Sequence, residues 1–251
     1  MTVFEILGFF LASVMGLILG LLGAGGAMLT LPILVYCFKL TPYIATSYSL
    51  LIVGCTALVG AFRYSKMDLI DWHAFSLFIL PSMITVLFSR LYLLPRIPHP
   101  DFFITLFFGG LLLTSSYFMF YPPKTPEKPY SRWTLLIFSA LIGIVTGLAG
   151  IGGGFLIVPT LTLAFHLPMK KAVGTSLAIM TINSLTGFTE DWISGIHIQW
   201  DFVAVYLFIA LIGMGIGMRL SPSIPSRKLS HAFAILTACI GCLMILYPFT
   251  L

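Results

Sequence analysis

The sequence predicts an all-α polytopic membrane protein built from two homologous halves, an expectation that rests on its poverty of charge, its long apolar runs and an internal repeat. Of its 251 residues, 59% are hydrophobic and 8% charged, and the mean hydropathy is +1.07. A soluble domain carries about 25% charged residues. So few charges cannot cover a surface that faces water, so the excess apolar surface faces lipid. Several runs reach the roughly 20 residues that cross a bilayer core. Trp72, Trp133, Trp192 and Trp200 fall at or near the ends of those runs, where an amphipathic ring sits between hydrocarbon and headgroups. The net charge of +5 comes from basic residues scattered singly or in pairs, a membrane-loop pattern that argues against a nucleic-acid partner.

The repeat organises everything else. Residues 16–60 align with 143–187 at a constant offset of 127, without a gap. Matched pairs include Gly16/Gly143, Gly20/Gly147, Gly23/Gly150, Gly25/Gly152, Gly26/Gly153, Pro32/Pro159 and Ser49/Ser176. Chance similarity between Leu-rich helices would not align glycines and prolines. The Pro-rich, charged segment 122–132 reads as a linker between a first transmembrane repeat, 1–121, and a second, 133–251. The N-terminal run lacks a basic n-region and exceeds a signal h-region, so it is expected to be a mature span.

Each half opens with a long apolar stretch, about 3–38 and 133–165, followed by three spans. These lie near 44–64, 74–94 and 102–121, and near 172–192, 201–220 and 230–250; Pro81 should kink one of them. Cys37, Cys55, Cys239 and Cys242 sit among apolar residues and read as small buried hydrophobes, because the C-x-x-C at 239–242 has no strand beside it.

The leading stretches are too long for one crossing and too short for two. Gly23, Gly25 and Gly26, and Gly150, Gly152, Gly153 and Gly154, are expected to break or sharply bend them. Irregular backbone at membrane depth requires protein or a water-filled cavity to satisfy it. A broken helix bares amides that suit an anion, and matched discontinuous helices point to a transporter substrate site. The plainer alternative, close helix packing, is assigned to Gly16/Gly20 and Gly143/Gly147. Beside the breaks stand Ser47, Ser49, Thr175 and Ser176, which either donate to an anion or bond within and between helices. Asn183 lies two turns beyond Ser176 on the same face, and its repeat partner is Thr56.

Loop charges address topology. If each leading stretch crosses once, the 13 basic residues divide 8 to 5; if each folds back at its glycines, they divide 3 to 10. The positive-inside rule favours the sharper division, which makes the repeats inverted and suits alternating access. Arg90 and Arg219 occupy matched positions and are candidate gates, against the plainer reading of interfacial arginines reaching to headgroups. Glu190 and Asp191 read as a solvated loop edge, with a coupling proton as the alternative.

No zinc spacing, nucleophile elbow, phosphate loop or dinucleotide fingerprint is present. The expectation is therefore a non-enzyme without metal or cofactor, whose partners are the bilayer, a small anion and possible coupling protons. The alternatives are a passive anion channel with the same pore, and a membrane enzyme or assembly protein without transport. The oligomeric state is left open.

The pair GLLGAGGAMLTLPIL…ATSYSL and GLAGIGGGFLIVPTL…KKAVGTSL resembles the TauE/SafE sulfite exporter family of membrane permeases over nearly the whole chain. The first copy departs at Ala27 and at Ser47-Tyr48-Ser49. The resemblance implies a multi-pass protein of a bacterial inner membrane with about eight hydrophobic helices. It also implies movement of sulfite or an organosulfonate.

Overall fold

A computed structural model describes residues 3–23, 25–121, 131–220 and 226–246, with the side chains of 22, 25 and 226–233 left out of the description. The described residues are helical, and six helices are long and apolar enough to cross a membrane. The first five are α1 (Val3–Leu22), α2 (Thr30–Tyr36), α3 (Pro42–Lys66), α4 (Trp72–Phe88) and α5 (Pro100–Phe120). The next five are α6 (Arg132–Ala149), α7 (Gly154–Ala164), α8 (Met169–Ile193), α9 (Trp200–Leu220) and α10 (Ser226–Leu246). Arg132, expected to close the linker, instead opens α6; residues 122–130 of that linker lie outside the described residues.

Both leading stretches are broken at their glycines. After α1, Gly23 takes φ +80° and a 3-10 segment (Gly25–Leu29) leads into α2. After α6, Gly150, Gly152 and Gly153 take φ +69°, +69° and +72° before α7 begins. Three left-handed residues within four positions are tolerable only where no Cβ is present. Gly26 then lies against the backbone of Met15 and Leu19, and Gly153 against Ile142 and Thr146. These contacts differ by 127 in both partners, and they show each chain folding back along the helix it has just left. Past α2, Phe38 stacks edge-on against Phe9 with ring centroids 5.1 Å apart.

Close glycine contacts also fix the helix directions. Gly16 abuts Ala210, and Gly20 abuts Met214 and Gly217, so α1 and α9 run parallel. Gly143 meets Ser82, and Gly147 meets Ser89, so α6 and α4 also run parallel. By contrast α3 and α8 run antiparallel, with Gly187 beside Leu50 and Gly60 beside Leu177. The pair α5 and α10 is antiparallel too, from Gly109 against Ile245 to Ser116 Oγ donating to the Ala234 carbonyl at 2.7 Å. The main helix pairs recur when the first five helices are exchanged with the last five: α1 on α9 answers to α6 on α4, and α2 on α3 to α7 on α8.

Connectivity then sorts the chain ends. Lys39, Arg90 and Arg96 lie toward one end of the bundle; Arg63, Lys66, Arg132, Lys170, Lys171 and Arg219 lie toward the other.

The paired helices α3 and α8 form the centre. From Ala45 to Val53 every α3 residue is buried, and so is every α8 residue from Ala172 to Thr181. The surrounding helices turn large apolar side chains outward, among them Leu80, Ile84 and Phe88 on α4, and Phe208, Ile212 and Ile216 on α9. Small and polar residues such as Ser82, Ser89 and Gly213 face in. This distribution suits a lipid solvent, in which small residues let backbones approach closely.

Candidate functional site

The two turns begin toward opposite ends of the α3/α8 pair. Gly150 sits against Thr46 near the start of α3, while Gly23 sits against Val173 near the start of α8, and 46 and 173 again differ by 127. Gly174 packs on Tyr64, so the first glycines of the two turns are separated by the 18 residues from Thr46 to Tyr64, about 27 Å of helix. The returning segments do approach each other, because the 3-10 segment packs on α7.

The second break is the more polar. Among the described residues the amides of Ile151, Gly152 and Gly153 donate to no protein acceptor, and successive amides in a turn of this kind form an anion-binding concavity. A Cβ at Gly152 would lie 2.6 Å from Ser184 Oγ and 2.9 Å from Val53 Cγ1, which puts this turn at the middle of α3 and α8. Next to Ser184, Asn183 Oδ1 accepts a hydrogen bond from Ser82 Oγ at 3.2 Å. The Asn183 Nδ2 group and the Ser184 hydroxyl are buried without a protein partner. Leaving a buried donor unpaired costs about 1–3 kcal/mol, so these groups are poised for a guest or for water. Thr56, the position matched to Asn183, spends its hydroxyl on its own helix, donating to the carbonyls of Ile52 and Val53.

Above this region stands Arg90, 2% exposed, on a turn that widens to i→i+5 bonding from Ser89 to Leu93. Such π-turns recur at functional sites. Its Nη1 donates to Asp191 Oδ2 at 3.0 Å and to Thr46 Oγ1 at 3.0 Å. Thr46 in turn donates to the Tyr43 carbonyl at 2.7 Å. The reading of Arg90 as an interfacial arginine is thus overturned, and so is that of Asp191, 3% exposed, as a solvated loop edge. The pair stays inside because each charge answers the other across α4 and α8. Arg219, matched to Arg90, is exposed, and Tyr64 and Val173 stand where a second Asp191 and Thr46 would be.

The other expected site residues divide. Ser47 and Ser49 are buried on α3 with unpartnered hydroxyls. Gly26 and Gly153 serve the close fold-back, Gly154 starts α7, and Gly25 starts the 3-10 segment. Ser176 donates to the Val173 carbonyl within its own helix. Thr175 lies at the far end of α8, where its hydroxyl accepts from the Asp71 amide at 2.9 Å. Tyr48, the residue matched to Thr175, likewise accepts at its hydroxyl from the Gln199 amide at 2.8 Å. Both bonds fix the turn just before a tryptophan that opens a helix, Trp72 or Trp200. Thr175→Val is accordingly expected to cost about 1 kcal/mol of stability and to leave flux intact, which parallel thermal melts and flux assays check. Sequence reasoning missed Ser82, Ser184 and Thr46 as members of this cluster. The four-residue spacing of Ser82, Val86 and Arg90, matched by Asn183, Gly187 and Asp191, was the available signal.

Broken helices folded back inside a lipid-facing bundle, with unpaired donors at its centre, are the build of a membrane transporter. The family model of the sulfite exporter TauE/SafE matches residues 8–244, and the chain belongs to that family. The chain is 26% identical to the probable membrane transporter protein YunE of Bacillus subtilis, over 95% of this chain and 98% of that one. It is 25% identical to the probable membrane transporter protein MJ0441 of Methanocaldococcus jannaschii, over 94% and 95%. A probable membrane transporter protein of Xylella fastidiosa is 27% identical over 91% and 90%. No solved structure matches.

Proposed function

We propose that this membrane transporter is a secondary carrier, acting as an exporter, of a small sulfur-containing oxyanion such as sulfite or an organosulfonate. The anion binds at the amides of Ile151 to Gly153, with Asn183 Nδ2 and the Ser184 hydroxyl as side-chain donors. The observation that carries this reading is the meeting, at the buried centre of α3 and α8, of bare turn amides with the unpartnered Ser184 hydroxyl, next in the helix to the unpartnered amide of Asn183. Fixed dipoles hold an oxyanion without the cost of burying a second full charge.

The two halves act as inverted repeats related by an axis in the membrane plane. The antiparallel courses of α3 and α8 and of α5 and α10, with contacts recurring at an offset of 127, support this. Exchange of roles between the halves supplies inward- and outward-open states. The end rich in Lys and Arg faces the cytosol. An ion gradient drives the cycle.

The test is uptake and efflux of labelled sulfite in proteoliposomes, with and without an imposed proton gradient. Saturable flux that responds to the gradient is expected. Flux that neither saturates nor responds would indicate a channel, and no flux of any sulfur oxyanion would overturn the substrate assignment.

A further inference from the structure

Arg90 uses only one corner of its guanidinium. Nη1 serves Asp191 and Thr46, whereas Nε and Nη2 are buried and have no protein partner. Those two nitrogens form the side-on edge of the group, whose parallel N–H bonds match two oxygens of an oxyanion. The edge borders the left-handed turn at Gly150, where a Cβ would come within 2.9 Å of Nη2. A full positive charge held inside a membrane bundle, with three of its five N–H donors idle, marks an ion pathway. We propose that this edge is a second anion station, at the outer end of the turn whose inner end forms the central one, and specific for oxyanions that present two oxygens in a plane. Asp191 is its built-in counterweight.

The proposal rests on the anion-carrier reading above and extends it. Asn183 and Asp191 are eight residues apart on α8, about 12 Å of helix, and the left-handed turn bridges the interval, with Gly150 at the Arg90 edge and Gly152 at Ser184. Ser82 on α4 and Arg90 just past its end are likewise eight residues apart, and α4 and α8 run in the same direction here. An anion leaving the centre along this seam meets Arg90 next. A bare arginine would trap it, and conduction through successive sites requires each to release what it binds. Asp191, 3.0 Å from Nη1, weakens the pull on an anion at the opposite edge. The matched positions toward the other end of the bundle form no equivalent, because Arg219 is exposed and Tyr64 and Val173 replace the partners.

Labelled sulfite binding and flux are compared for the wild type, Arg90→Lys, Asp191→Asn and Asn183→Leu in one lipid. Asp191→Asn is expected to bind sulfite about tenfold more tightly and to turn over more slowly, because a neutral amide no longer repels the anion. Arg90→Lys, which lacks the planar fork, is expected to bind about tenfold more weakly. Where Asp191→Asn melts early, the sulfite-induced rise in its Tm replaces the binding measurement and should exceed that of the wild type. Unchanged or weaker binding in Asp191→Asn, or an equal Tm shift, overturns the station. Loss of binding in Asn183→Leu alongside an unaltered Asp191→Asn overturns the station and leaves the carrier reading standing. Absence of sulfite binding to the wild type and every variant overturns both.

Discussion

Gly152→Val is expected to abolish anion flux in proteoliposomes. Gly152 holds φ +69°, a conformation that costs a residue with a Cβ about 1–2 kcal/mol. The added carbon would lie 2.6 Å from Ser184 Oγ and 2.9 Å from Val53 Cγ1, and overpacking of this kind costs about 1–3 kcal/mol more. Ser184, the bare amides and the valine branches would then compete for one space. A lowered melting temperature should therefore accompany the loss of flux. Gly195→Ala separates the two effects: Gly195 has φ +92° with nothing near its missing Cβ, so that variant should lose a little stability and transport normally. Normal flux in Gly152→Val would remove the turn from the substrate site.

The second large effect concerns the buried ion pair. Asp191→Leu leaves Arg90 charged, since a guanidinium does not give up its proton in a protein. Removing one partner of a buried pair costs about 3–5 kcal/mol, whereas replacing both with apolar residues is often neutral or stabilising. Asp191→Leu should thus melt far below the wild type in detergent, and the double variant Arg90→Met with Asp191→Leu should recover most of that loss. A double variant that melts as low as the single would mean that the two charges are not coupled through their contact. Flux through the recovered double variant should remain poor, because the side-on edge is gone as well.

The helix breaks were legible in the sequence because glycine clusters have few uses in an apolar run, and the fold-back because it divided the basic residues most sharply. The roles of individual glycines were not. Gly26 and Gly153 look the same in sequence as Gly152, yet they are needed where a chain lies against its own preceding helix. Thr175 misled for a related reason: its partner, the Asp71 amide, is 104 residues away. A threonine beside a glycine break gives no hint of a bond that distant. Arg90 and Asp191, 101 residues apart, each sit near the end of a span, where an isolated charge ordinarily reaches to headgroups or water. Only the packing of α4 on α8 reveals that they neutralise one another.

The central position of α8 has a consequence for biogenesis. It carries Lys170, Lys171, Glu190 and Asp191 with a polar middle, and it is not among the six helices apolar enough to cross a membrane by themselves. Released singly from a translocon, such a segment would partition poorly into hydrocarbon. Its entry into the bilayer is therefore expected to depend on helices already made, with α3 and α4 offering the polar partners it needs.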